Sequence, residues 1–245
     1  LGALKDADAA FNRLLEIWPQ DRRATLGHSR ILVSHGQKTS AIGALTETLK
    51  VLPGDPELLL LRGRIHYLAH HDQPARGDLE RVLGVLTDKT SDLARAANVA
   101  LGYVHMVAGR FKTAKPLLDA ADAAPGYGPA RLAQGLLAEF SGDLSDAGQQ
   151  LDEATRLLGS DSAEVDYTRA HAQEKEGDAR AAARSLRSAI RDGYDFTLAI
   201  GSEARVLGDV GPLFGGMIWQ KWGTVDGGRI ALEARRPDSF ASRLD

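Results

Sequence analysis

The chain has no cysteine, which excludes disulfides and thiolate metal sites and leaves the compartment open. It has no strong excess of either charge. A net charge of −3 provides no global field for nucleic acid or an anionic membrane, and Arg22-Arg23 and Arg235-Arg236 are isolated pairs rather than a basic stripe. Long apolar runs are missing too. None approaches the roughly 18 residues that span a bilayer, and no signal peptide is visible. Catalytic constellations are equally scarce. Ser, His and Asp occur without a nucleophile-elbow context, and Asp226-Gly227-Gly228 is too short for a nucleotide motif. The expectation is therefore no enzyme and no cofactor. The chain begins at Leu1, already inside a helical pattern, as a fragment or a processed form would.

What is present is a repeat. Gly2, Gly36, His70, Gly109, Gly142 and Gly177 recur, and four of the five steps fall within one residue of 34. Ala7, Ala41, Ala75, Ala114, Ala147 and Ala182 keep the same offsets, as do Phe11, Leu45, Leu79, Leu118, Leu151 and Leu186. A period near 34 marks a helix–turn–helix array, which grows by stacking and needs no single central core. In each unit a helical pattern precedes the Gly and another follows it. After Gly36, Ala41, Leu45 and Leu49 mark one helical face. Pro53 then stops that helix, and Asp55-Pro56 opens the next. Gly at the turn suits a backbone that must take a positive φ. The long step to the fourth unit, from His70 to Gly109, carries five extra residues, placed near Thr87–Asp92.

A small residue recurs in each first helix, at Ser29, Gly63, Gly102, Gly135 and Ala170. It lets the two helices of a unit approach, while the large residue of the second helix fills the space between units. Gly102, Gly109, Ala114, Leu118 and Ala121, and again Gly135, Gly142, Ala147, Leu151 and Ala154, follow this order. The pattern resembles the tetratricopeptide repeat over about residues 1–194. Two features depart from it. The family's aromatic residue early in the first helix is replaced by Thr25, Leu59, Asn98, Arg131 and Asp166, and His70 stands for the turn Gly in the third unit.

The resemblance implies an all-α fold, a right-handed solenoid of about five to six helix–turn–helix repeats with a C-terminal capping segment. The reading divides the chain into an array at 1–194, capping helices at 195–222 and an irregular tail at 223–245. Pro212 would start a capping helix through Leu213, Phe214, Met217, Ile218 and Trp219, and Asp226-Gly227 would turn a short hairpin. The first unit has only its second helix, about Leu4–Trp18, with Phe11, Leu14 and Leu15 on one face, so this helix is a candidate for self-association.

Arrays of this family hold a partner segment along the concave surface lined by their first helices. The groove-facing positions here are Arg30, Arg64, Tyr103, Leu136 and His171, with Val33, Tyr67, Met106, Glu139 and Glu174 three residues on. Together with Phe140 they make a strip that is basic at one end, aromatic and apolar in the middle, and acidic toward Glu139, Glu164 and Glu174. Tyr and Arg make good anchors through large area and a rigid fork of donors. The expected partner is a protein or peptide segment with acidic and apolar residues. The alternative is that Tyr67, Tyr103 and Met106 fill space between helices and both arginines are solvated. Some members of the family clamp a C-terminal carboxylate with Lys, Asn and Arg. The asparagines are missing here, where Gly27, Arg30, Leu61 and Arg64 stand, so that mode is disfavoured. His66 and His70 are spaced to chelate a metal from one helix face, but no third ligand is evident, and no metal is expected. A regulatory array within a larger enzyme is the second functional reading.

Overall fold

A computed structural model describes residues 2–123, 126–159 and 162–191. All regular structure among these residues is helical: α1 (Gly2–Ile17), α2 (Arg22–Ser34), α3 (Lys38–Val51), α4 (Pro56–Leu68), α5 (Asp72–Val85), α6 (Asp92–Val107), α7 (Phe111–Asp122), α8 (Gly128–Ser141), α9 (Leu144–Leu158), α10 (Ala163–Lys175) and α11 (Ala179–Arg191). The expected capping helices and hairpin after residue 194 lie outside the described residues.

The boundaries follow from local chemistry. Asp21, Asp55, Ser91 and Asp143 cap α2, α4, α6 and α9 by accepting hydrogen bonds from backbone N–H groups of the first turn. Pro56, whose ring fixes φ and whose missing N–H is harmless there, follows the Asp55 cap. Each first helix ends in the same way. Gln37, His71, Arg110, Asp143 and Asp178 donate their backbone N–H to the carbonyls of Leu32, His66, His105, Ala138 and Gln173, at 2.8 to 3.0 Å. This closure requires a left-handed residue one position earlier. Gly36, Gly109, Gly142 and Gly177 take it at φ of 75, 70, 84 and 85°, and His70 takes it at 59° despite its side chain. The five extra residues of the step to the fourth unit are divided. The linker Leu86–Ser91 is two residues longer than Leu52–Asp55, and α6 is three residues longer than α4.

Packing is pairwise and serial. Helices α2/α3, α4/α5, α6/α7, α8/α9 and α10/α11 form units, and each second helix also touches the next first helix. Helix α1 touches α2 in the manner of a second helix. The small-against-large rule is visible in the contacts. A Cβ added at Gly63, Gly102 or Gly135 would stand 3.0, 2.6 or 3.0 Å from the side chain of Leu79, Leu118 or Leu151. Those three leucines and Leu45 are fully buried, as are Ala41, Ala75, Ala114, Ala147 and Ala182.

The place of the family's aromatic residue is filled by other means. Thr25 hydrogen-bonds Thr48 at 2.9 Å in a buried pair, and Leu59 is fully buried. Arg131 reaches Asp122 at 2.7 Å and donates to Gln150 Oε1 at 2.8 Å, tying together α7, α8 and α9. Arg62 of α4 grips Asp78 of α5 bidentately, with both distances 2.7 Å, and donates to Thr46 of α3 at 3.0 Å. Polar ties between helices thus do part of the work that ring packing would do.

Candidate protein-interaction surface

First helices touch one another across successive units: α2 with α4, α4 with α6, α6 with α8, and α8 with α10. They therefore form one continuous layer whose second-helix partners lie along its other side. This geometry gives a strip of side chains with one set per unit.

The sequence-derived residues all fall on this layer, but at different depths. Arg30 on α2 is exposed, and Arg64 on α4 is half-buried. Tyr67, Tyr103, Met106 and Leu136 are buried, as are Glu139 and His171; Phe140 and Glu174 are half-buried. Burial drives the phenols of Tyr67 and Tyr103 well above the ordinary tyrosine range, because a phenolate there would lose its water. Tyr67, Tyr103 and Met106 thus occupy space between helices, which is the alternative that the sequence left open for them.

At the α8–α10 end the charges form a compact group. Glu139 is fully buried, with Oε1 2.7 Å from His171 Nδ1 and 2.7 Å from Lys175 Nζ. Lys175 also donates to the Glu139 carbonyl at 2.8 Å and stands 5.9 Å from the centre of the Phe140 ring. Phe140 stacks on Phe111 with centroids 6.1 Å apart. A carboxylate with no exposed surface needs such partners, since an unpaired buried charge costs several kcal/mol. The expected acidic end therefore has Glu139 engaged by a cation and an imidazole. Lys175 and Tyr167 were missed in the sequence. Tyr167 lies four residues before His171, in phase with Leu26, Leu60, Val99 and Leu132, and this register could have revealed it.

His66 and His71 approach through their Nδ1 atoms at 3.3 Å, while His70 holds the turn. Burial holds the His66 imidazole below its ordinary pKa. No group of three or more His, Cys, Asp or Glu side chains suited to a metal ion occurs among the described residues. A cleft of about 860 Å³ lies between α7, α8 and α9, where Phe111, Lys115, Arg131, Gln134, Asp143 and Gln150 give it mixed polarity. No described helix is long and apolar enough to cross a membrane.

No protein-family profile matches the sequence, and no curated protein sequence matches it. Solved structures do resemble it in shape. A tetratricopeptide repeat protein from Parabacteroides merdae superposes with a TM-score of 0.68 at 16% identity, over 88% of this chain and 78% of that one. A thermophilic tetratricopeptide repeat protein of Thermus thermophilus gives 0.59 at 20% identity, over 80% and 99%. A chain of the APC/C hetero-tetramer gives 0.67 at 16% identity, over 79% of this chain and 38% of that chain. The fold is therefore that of tetratricopeptide repeats.

Proposed function

We propose that this chain is a non-enzymatic protein-interaction scaffold that holds a partner segment along the layer of first helices. The observation that carries the reading is the continuity of that layer from α2 to α10. One structural neighbour is found in a hetero-tetramer, which supports assembly as a use of this fold. The partner is a protein or peptide segment with acidic and apolar residues. Its acidic residues meet Arg30, which is exposed at one end, and Arg64 one unit further on. Its apolar residues lie against Phe140, which is half-buried, while Tyr67, Tyr103, Met106 and Leu136 support the layer from within, and half-buried Glu174 borders the far end beside His171. Arginine suits the acidic contact because its planar fork donates hydrogen bonds to both oxygens of a carboxylate.

The test is a capture experiment from lysate of the source cell, comparing the native chain with the double variant Arg30→Glu/Arg64→Glu and identifying captured proteins by mass spectrometry. A protein held by the native chain and lost with the variant supports the reading. Identical captures remove the arginines from it. The substitution at Arg30 is exposed, so its effect on folding should stay within about 0.5 kcal/mol, and unchanged helicity checks this.

A further inference from the structure

Charge on the outer faces of the second helices is balanced in four units and not in the fifth. The positions two residues before, and two, five and nine residues after, the recurring Ala of a second helix lie on the face opposite that Ala. In α3, α5, α7 and α9 the charged residues at these positions are Lys50, Glu80, Lys112, Asp119, Asp152 and Arg156, all exposed and equal in number for the two signs. In α11 all four positions are arginine, at Arg180, Arg184, Arg187 and Arg191, and the helix contains no acidic residue. Arg180 and Arg184 are exposed, while Ala181, Ala182 and Ala189 are buried on the other side. Asp178, just before the helix, is engaged as its cap and accepts a hydrogen bond from the Ala181 N–H at 2.9 Å.

Spacings of 4, 3 and 4 residues hold the four positions within an arc of about 60° and along about 16 Å of helix. Like charges at these spacings repel and weaken a helix. On other second helices a neighbouring acid relieves the cation: Lys50 pairs with Glu47 at 2.7 Å, and Arg156 with Glu153 at 2.6 Å. Helix α11 has no residue of its own for this, so the matching charge must come from outside it. The rest of the chain narrows what can bring it. The net charge is −3 despite these arginines, and the preceding second helix α9 carries Asp146, Asp152 and Glu153 against Arg156 alone. A bilayer or a long nucleic acid laid over α11 would also face those acids. A helix about as long as the row meets the arginines alone. It also has the same rise per residue, and the spacing reads the same in both directions, so Asp or Glu side chains at intervals of 4, 3 and 4 meet all four arginines whether the helices run parallel or antiparallel. Each guanidinium can donate to both oxygens of a carboxylate.

We propose that the outer face of α11 is a second docking surface, which binds a partner helix bearing Asp or Glu in a row spaced by 4, 3 and 4 residues. It lies on a second helix, apart from the layer of first helices, and does not depend on Arg30 or Arg64.

The test uses the 245-residue chain and two stapled alanine-based helical peptides of the same composition, followed by fluorescence anisotropy. One peptide carries four Glu in the 4, 3, 4 row, and the other carries them dispersed around the helix. The row peptide should bind, the dispersed peptide should bind more weakly, and Arg180→Gln/Arg184→Gln should lose about tenfold in affinity for the row peptide with unchanged helicity. The double variant Arg30→Glu/Arg64→Glu should bind the row peptide as the native chain does, which separates this surface from the first-helix layer. Absence of binding, equal binding of the two peptides, or loss of binding with Arg30→Glu/Arg64→Glu instead of Arg180→Gln/Arg184→Gln overturns the proposal. So does tighter binding, lost with Arg180→Gln/Arg184→Gln, of a thymidine oligonucleotide or of vesicles containing phosphatidylserine, which would make α11 a nucleic-acid or membrane surface.

Discussion

Substituting Gly102 by Ala tests the packing rule that organises the array. A Cβ at this position would stand 2.6 Å from Leu118 Cδ2 and 3.1 Å from Leu118 Cγ. Leu118 is fully buried, so its side chain has little room to retreat. Overpacking of this size costs about 1–3 kcal/mol. Replacing Gly by Ala within a helix returns about 1 kcal/mol through backbone entropy. The expected net loss is therefore about 1 kcal/mol. Leu118→Ala alone removes a fully buried side chain and should cost about 2–5 kcal/mol. In that background the obstacle to a Cβ at 102 is gone, and the added methyl partly fills the vacated space. Gly102→Ala should then stabilise the protein by about 1 kcal/mol. The sign of one substitution thus reverses with the identity of the other, a coupling of about 2 kcal/mol. Urea unfolding of the four proteins, followed by circular dichroism, measures it. Equal effects of Gly102→Ala in the two backgrounds would show that the glycine and the leucine do not pack as described.

Two further outcomes follow from polar groups in the interior. Asp78→Ala strands the Arg62 guanidinium, which is 14% exposed beside a 7% exposed Asp78, and should cost roughly 3 kcal/mol; Arg62→Met added to it should recover much of the loss in the same unfolding assay. His105 is held below the usual imidazole pKa first by burial and then by the charges of Arg110 and Arg76, and its Nδ1 accepts a hydrogen bond from Arg110 Nε at 3.0 Å. The unfolded chain therefore takes up the proton more readily, so stability is fully present above the unfolded value of about 6.5 and falls as the pH drops below it. Melting temperatures measured through this range should decline, and His105→Gln should flatten the decline.

The parts of the fold that show in the sequence are those set by steric repetition. A Gly that must take positive φ, an Ala that must let a neighbour approach and a Leu that must fill a gap are demanded anew in each unit, so they recur in phase. Aspartate caps and Pro56 mark helix starts by equally local rules. Contacts between helices that need no repetition left no trace of this kind. Arg62 with Asp78, Arg131 with Asp122 and Glu139 with His171 and Lys175 join residues whose partners differ from unit to unit. Nothing in the sequence announced them. The candidate surface was legible in register but not in depth. Phase placed Tyr103 and Met106 on the first-helix layer, but how closely neighbouring helices approach decides whether such side chains reach solvent, and both are buried.

The central claim is that the layer of first helices is the surface that holds a partner. Site-specific photo-cross-linking tests it most directly, with a photoreactive side chain placed at Arg30 on α2 or, as a control, at Arg81, which is exposed on the second helix α5. With the captured partner present, a covalent adduct at Arg30 and none at Arg81 is the predicted result. An adduct at Arg81 with none at Arg30 would place binding on the second helices and contradict the account.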